Sequence, residues 1–298
     1  WLVTAVWIGV GLLVYRSYAS KREIEHVRKT KSLTRLEKKD YRILVPLANE
    51  RSVHGLASIA EAIARKNNAE IILLHVTEVH EGIPLIAANA DIETSNKLFQ
   101  KAEAVLAQSS ISYRSLVNVA HRISQGILDI AIEQECNFII VGRDKHPSFM
   151  ERFFSSIIDS VIAKAPCEVA VMHGQLPTEK VKTILITFGH NIHTSLATEI
   201  APAFLTYFNC EIKMVLVFEP GTSAEERVKK ESLVRELIAQ NDLKAEIRIL
   251  NDDDILTSIV EESKKSDLIV MGGRSGDFLE LLLGRSLTQE ITEQSACP

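Results

Sequence analysis

Residues 138–142 read FIIVG and residues 268–272 read LIVMG, and these two stretches decide the fold. Each is an uncharged apolar run that ends in glycine, a pattern typical of a strand buried on both faces of a parallel sheet. Gly142 and Gly272 lie 130 residues apart, and so do Cys167 and Cys297. The equal separation indicates that one structural unit occurs twice in the chain.

Other predicted strands and helices alternate around these stretches in the same order in both units. The first three strands are predicted at 41–47, 71–76 and 113–119 in one unit, and at 183–188, 212–218 and 245–250 in the other. Helical patterns fall at 57–66, 126–134, 194–208 and 255–264. Strands that alternate with helices predict βαβ units and a parallel sheet. We therefore predict an α/β fold with two tandem parallel-sheet domains, 41–174 and 181–298, the second without its last strand.

An apolar stretch precedes the two domains. Residues 1–14, WLVTAVWIGVGLLV, carry no charge, and Arg16 is the first cation. Apolar residues cover every face of this stretch, and the cations follow it, whereas in a signal peptide they would precede it. The pattern predicts the end of a transmembrane helix at 1–18 and a basic juxtamembrane helix or linker at 19–40. By the positive-inside rule, we expect an integral membrane protein whose soluble domains lie in the cytoplasm.

Charge and cysteine usage argue against two kinds of partner. The chain has a net charge of -5, and because residues 1–40 contribute about +5, residues 41–298 carry about -10. A body of that sign is unsuited to nucleic acid. The four cysteines show no CxxC or metal-ligand spacing, so we predict no metal site from them.

Several short motifs resemble the universal stress protein family. They are ILVP at 43–46, LLHV at 73–76, IIVG and IVMG before the glycine loops, and APC at 165–167. The resemblance covers 41–298 as a tandem pair and implies two universal-stress-protein-like domains of the adenine nucleotide alpha hydrolase-like fold. Upstream, WIGVGLLVY at 7–15 resembles the last membrane helix of an amino-acid permease of the amino acid-polyamine-organocation superfamily. Cation-proton antiporters that carry the same module are the alternative.

The family resemblance also implies a phosphate-binding loop after each fourth strand. Nucleotide-binding members have the form G-x2-G-x9-G-[ST], in which glycine lets the backbone amides approach the phosphates. The first domain keeps Gly142 but has Lys145 and Ser155 in place of the other two glycines, followed by Ser156.

The second domain departs from the loop pattern in another way. In the same register as the first domain, Ser275 and Arg285 stand where glycines are expected, while other glycines lie one residue away. The candidate residues for ATP or another adenine nucleotide are Gly272, Gly273, Gly276, Gly284 and Ser286.

Nucleotide-binding members also place an aspartate at the end of the first strand. Here Ala48 and Gly189 occupy that position, so both domains lack this anchor.

Other polar groups have simpler interpretations. His190 and His193 have no third ligand nearby, so we predict loop histidines and no metal. The run Asp252-Asp253-Asp254 directly precedes a helical pattern, where capping and dipole compensation account for it. No G-x-S-x-G motif or pair of catalytic carboxylates stands out, and we predict no enzyme activity.

The two resemblances imply a cytoplasmic regulatory or assembly module of a secondary transporter, with an amino-acid permease as the first candidate. Its expected partners are the membrane, its own transporter domain and, within the chain, the two repeats as a pseudo-dimer packed across their last strands. Nucleotide sensing through the second domain is one option. The alternatives are a nucleotide-binding stress-response protein or hydrolase anchored to the membrane, and a purely structural pair.

Overall fold

The first domain is a five-stranded parallel sheet with helices on both faces. The computed structural model describes residues 41–85, 90–107, 109–143, 152–177, 181–188, 193–272 and 287–298. The strands lie in the order β3-β2-β1-β4-β5. They are β1 Arg42–Pro46, β2 Glu70–Glu78, β3 Tyr113–Ala120, β4 Phe138–Arg143 and β5 Glu168–His173, and the helices are α1 Glu50–Asn67, α2 Ile92–Leu106, α3 Ile123–Glu133 and α4 Arg152–Lys164.

The second domain repeats this architecture with four described strands in the order β8-β7-β6-β9. The strands are β6 Thr183–Thr187, β7 Glu211–Phe218, β8 Ala245–Asn251 and β9 Leu268–Met271. The helices are α5 His193–Phe204, which continues as a π-helix Leu205–Asn209, then α6 Ala224–Gln240, α7 Ile255–Ser263 and α8 Leu287–Gln294. The predicted α/β class and the two parallel sheets are confirmed.

One hydrogen-bonded clasp recurs at the amino edge of both sheets. In the first domain the Asn137 side chain accepts a hydrogen bond from the backbone N–H of Arg42 at 2.9 Å. In the second, Asp267 accepts from the backbone N–H groups of Lys182 and Thr183 at 2.8 and 2.9 Å. Since Asn137 and Asp267 lie 130 residues apart, the repeat extends to individual polar contacts.

The C-terminal residue lies beside β9. The backbone N–H of Ile269 donates to the carbonyl of Pro298 at 2.9 Å. In the first domain β5 begins at the corresponding position, where Glu168 pairs with Phe138 of β4. Over the ranges given above, the second sheet has four strands.

Helix α1 begins earlier than its apolar pattern predicts. The structure starts it at Glu50 rather than at residue 57, because the Asn49 side chain caps it by accepting from the Arg51 N–H at 3.0 Å. Asparagine is a preferred N-cap residue, so this start is readable from the sequence once the cap is considered. The helix ends at Asn67 and is capped by Asn68, which adopts the left-handed conformation with φ 50°.

We predicted one helix over residues 194–208, but the structure divides this stretch into two elements. Helix α5 ends at Phe204, and the next five residues form the π-helix. Pro202 lies inside α5 and has no N–H to donate, which weakens the regular hydrogen-bond ladder at this point.

The largest hydrophobic cluster among the described residues includes side chains of both domains. Residues such as Ile43 and Phe138 of the first domain belong to the same buried cluster as Ile184 and Phe218 of the second. Two smaller clusters lie on the outer faces, one beneath α3 and α4 and the other beneath α7 and α8. Among the described residues, the main contacts between the domains run through α1, α5 and the π-helix. The predicted packing across the last strands stays a prediction.

The predicted localisation needs correction. Within the described ranges no helix is both long and apolar enough to cross a bilayer. Helix α1 has 18 residues, but it carries Glu61, Arg65 and Lys66 among its charges. The segment predicted to span the membrane, 1–18, and the basic segment 19–40 lie outside the described residues.

Candidate functional site

The carboxyl edge of each sheet is where the topology places a ligand. β1 and β4 are neighbours, yet α1 packs on one face of the sheet and α4 on the other. Ligands of open α/β sheets bind in the crevice at such a switch point. The backbone N–H of Leu47 donates to Leu74 at 2.7 Å there, and Phe188 repeats this contact with Val215 at 3.0 Å in the second domain.

The end of β1 carries no acidic anchor in the first domain. Ala48 is exposed, and the next residue, Asn49, uses its side chain as the α1 cap. Position 48, where the sequence lacks the expected aspartate, therefore lies at the crevice itself. Gly189, the corresponding residue in the second domain, is outside the described residues.

Gly142 is the penultimate residue of β4 and lies in close contact with α1. A Cβ at this position would lie 3.2 Å from Ser52 Cβ and 3.3 Å from Leu56 Cδ1. Because real Cβ atoms seldom approach so closely, the packing of β4 against α1 favours glycine here. Close packing therefore accounts for glycine at this first position of the predicted loop without any bound phosphate.

Polar contacts tie the start of this loop to the following elements. Arg143 Nη2 donates to Asp159 of α4 at 2.6 Å, and the Arg143 carbonyl accepts from the Gly174 N–H at 2.8 Å. Lys145 is outside the described residues, while Ser155 and Ser156 lie near the start of α4. The described part of the first-domain loop is held by an internal ion pair.

A second group of polar residues lies at the end of β2. His75 is buried, with its ring Nδ1 2.9 Å from the carbonyl oxygen of Leu47. Thr77 Oγ1 accepts from the N–H of Asp91 at 3.0 Å, and Asp91 caps α2 by accepting from the Thr94 N–H at 3.0 Å. The hydrogen bonds from Thr94 lower the pKa of Asp91. Sequence reasoning missed this group, although a histidine inside an apolar strand was a visible signal.

Only part of the second-domain candidate site lies among the described residues. Gly272 directly follows β9, as the sequence predicts for the edge of the sheet. The other four candidate residues lie outside the described residues, and their role in phosphate binding stays a prediction: Gly273, Gly276, Gly284 and Ser286.

The acidic run before α7 has the predicted capping role. Asp254 accepts from the Thr257 N–H at 3.0 Å, and Asp252 accepts from the Ser258 hydroxyl at 2.8 Å. Hydrogen bonds from Thr257 lower the pKa of Asp254. Over the described ranges, no group of three or more His, Cys, Asp or Glu side chains is arranged to hold a metal ion. Of the histidine pair, His190 is outside those ranges and His193 begins α5.

The described cysteines pack as small apolar side chains. Burial raises the pKa of Cys136 to about 11, of Cys167 to about 12 and of Cys210 to about 11. Cys297 is also buried. Thiols with such pKa values are poor nucleophiles at neutral pH.

A surface cleft of about 480 Å³ lies at the carboxyl end of β3, apart from the predicted loops. Asn118, His121 and Asp129 help to line it, and Arg122 closes one side through an ion pair with Glu81 at 3.5 Å. Its lining mixes carboxylates, amides and apolar groups, so it does not select one ligand class.

Comparison with known families agrees with this architecture. The universal stress protein family matches residues 41–173, which is the first domain of the chain. No curated protein matches the chain.

Solved structures extend the similarity over both domains. A universal stress protein from Archaeoglobus fulgidus is 19% identical over 86% of this chain and 93% of that chain, with a TM-score of 0.56. The cytoplasmic domain of a prokaryotic cation chloride cotransporter is 12% identical over 87% of this chain and 93% of that chain, with a TM-score of 0.59. At these identities the similarity shows the fold.

A single-domain structure is also similar. A universal stress protein from Archaeoglobus fulgidus in complex with dAMP is 20% identical over 44% of this chain and 96% of that chain, with a TM-score of 0.33. That score is too low to assign its ligand to this chain.

Proposed function

We propose that the tandem domains are a non-enzymatic regulatory or assembly module of a secondary transporter. An amino-acid permease is the first candidate transporter, and a cation-proton antiporter is the alternative. The observation that carries the proposal is the similarity of the paired architecture, over 87% of this chain, to the cytoplasmic domain of a cation chloride cotransporter. That domain sets a precedent for this two-sheet arrangement serving a transporter.

The described crevice supports binding or docking more than catalysis. Its charged groups are engaged in contacts that hold the fold: Arg143 pairs with Asp159, and Glu50 pairs with Lys101. Asp91 is occupied as a helix cap. A general acid or base must be within reach of substrate and free to exchange a proton, and these groups are committed elsewhere.

An adenine nucleotide bound at the edge of the second sheet is the proposed regulatory ligand. Gly272 lies directly after β9, and three more glycines follow within the next twelve residues. Backbone amides in a glycine-rich turn after a parallel strand can hold phosphate oxygens. The universal stress protein domain in the first half adds support, because this family includes nucleotide-binding members.

Uptake measurements test the transporter role. We expect that deleting residues 41–298 in the natural host changes the rate of radiolabelled amino-acid uptake or its response to starvation. Salt and alkaline-pH tolerance, measured in the same cells, distinguishes the antiporter alternative. Unchanged uptake and unchanged tolerance would contradict the proposal.

Calorimetry tests the nucleotide site separately. ATP, ADP, AMP and cyclic dinucleotides are titrated into the full chain, into Gly276→Val and into the control Gly82→Val. Gly82 lies in a turn of the first domain, where an added Cβ meets only the His80 side chain at 3.4 Å. We expect the parent chain to bind a nucleotide saturably. Gly276→Val should abolish this binding, and Gly82→Val should retain it. Equal binding by all three proteins would place the nucleotide elsewhere.

A nucleotide-binding stress-response protein or hydrolase is the second candidate function. The family match over residues 41–173 favours it. A hydrolase releases inorganic phosphate from ATP, whereas a sensor binds without turnover. Steady phosphate release by the full chain, absent in Gly276→Val, would favour the hydrolase over the regulatory module.

A further inference from the structure

The contact between the domains contains a buried carboxylate with one partner on each side. Glu61 lies in α1, and its side chain is only 3% exposed. One carboxylate oxygen accepts from Arg65 Nη2, within the same helix, at 2.5 Å. The other accepts from the hydroxyl of Tyr207, in the second domain, at 2.7 Å.

The π-helix presents Tyr207 to this carboxylate. The Tyr207 ring packs edge-on against Phe208, with centroids 4.8 Å apart and an interplanar angle of 89°. The Arg65 guanidinium lies 5.3 Å from the centroid of the Tyr207 ring. Burial, together with the hydrogen bond to Glu61, raises the pKa of Tyr207 to about 12, so the phenol remains a neutral donor at physiological pH.

A buried carboxylate is costly unless both oxygens have partners. Among the described residues of the first domain, Arg65 is the hydrogen-bond donor to Glu61, and the second donor comes from Tyr207. The first domain is therefore completed electrostatically by a residue of the second. Lys66 adds a further contact between the domains by donating to the Glu199 carbonyl at 3.2 Å.

The apolar surroundings of this contact are shared as well. Leu56 and Ile63 of α1 belong to the same buried cluster as Ala201 and Phe204 of α5. Shared burial means that unfolding one domain exposes apolar surface of the other.

We infer that the Glu61 carboxylate is the docking site for the Tyr207 phenol and that this contact joins the two domains into one cooperative unit. A substitution that destabilises one domain then destabilises the other by the same amount. The inference does not depend on which ligand or transporter the module serves.

Native-state hydrogen exchange of the full chain tests the coupling. In a cooperative unit the slowest amides of β2 and β7 open only by global unfolding, so they share one opening equilibrium constant. Tyr207→Phe removes a hydrogen bond to a charged group and should raise that constant about tenfold in both domains. Tyr113→Phe is the matched control, because no hydrogen-bond partner of the Tyr113 hydroxyl is found among the described residues. It should change the constant less than about twofold.

A substitution far from the interface makes the test decisive. Gly126 lies in α3, on the outer face of the first sheet, where an added Cβ would meet Val76 Cγ1 at 2.8 Å and Ala120 Cβ at 2.9 Å. Gly126→Ala should raise the opening constants of β2 and β7 by the same factor. A rise confined to β2, or an effect of Tyr207→Phe confined to β7, would overturn the inference.

A double-mutant cycle assigns the coupling to the hydrogen bond itself. Glu61→Leu and Tyr207→Phe should together change the opening constant by a factor at least about threefold smaller than the product of their separate effects, since each removes the Glu61–Tyr207 hydrogen bond. Multiplicative effects would instead place the coupling in the apolar core and refute the role of Glu61.

Discussion

Replacing Gly142 with valine distinguishes a packing glycine from a phosphate-binding one. The new Cβ would lie 3.2 Å from Ser52 Cβ and 3.3 Å from Leu56 Cδ1, and valine adds two methyl groups beyond it. Ser52 and Leu56 are both buried in α1, so they have little room to move. Overpacking of a well-filled core costs about 1–3 kcal/mol, and we expect Gly142→Val to lower the free energy of unfolding by about 2 kcal/mol.

Thermal unfolding followed by far-UV circular dichroism measures this loss. In a unit of this size about 2 kcal/mol corresponds to a fall in Tm of about 4–8 °C. The affinity for a nucleotide bound in the second domain should stay unchanged, because Gly142 lies in the first.

The double variant Gly142→Val with Leu56→Ala provides the control. Leu56→Ala alone leaves a cavity and should cost about 2–5 kcal/mol. The valine methyls would occupy part of that space, so the two changes together should cost at least about 0.5 kcal/mol less than their sum. Strict additivity, or a Gly142→Val protein as stable as the parent, would refute the packing argument.

Three further predictions concern polar groups and thiols. Asp267→Ala should lower the free energy of unfolding by about 2 kcal/mol in urea titrations, because two backbone N–H groups lose a charged acceptor. Asp267→Asn should be milder, since Asn137 makes the corresponding contact in the first domain. Cys136 and Cys167 should resist iodoacetamide at pH 8, measured by mass spectrometry, and react once urea unfolds the chain, because burial raises both pKa values. The pKa of Asp254 is lowered, so its stabilising contribution is complete above the unfolded value and is lost as pH falls through the folded one. The Tm of the parent should therefore fall more between pH 5 and pH 2 than that of Asp254→Asn.

The sequence determined the architecture because its evidence is local. Buried strands of a parallel sheet are apolar throughout, and the helices between them show an apolar periodicity, so the order of the elements was readable directly. The separation of 130 residues between Gly142 and Gly272 and between Cys167 and Cys297 revealed the duplication, and the structure repeats it in the contacts of Asn137 and Asp267. Asp254 was also predictable as a cap, since a helix start depends on a few neighbouring residues.

The tertiary structure decided which elements meet. Glu61 has the sequence context of a charged residue on an amphipathic helix, yet it is buried against Tyr207, which lies 146 residues away. No periodicity encodes that pairing, because it depends on how α1 and the π-helix pack once both domains have formed. The same holds for Gly142, for which the family resemblance implied a place in a phosphate loop and which the structure places against Ser52 and Leu56. Residue patterns report burial and local conformation, whereas the partner of a buried group is fixed by long-range packing.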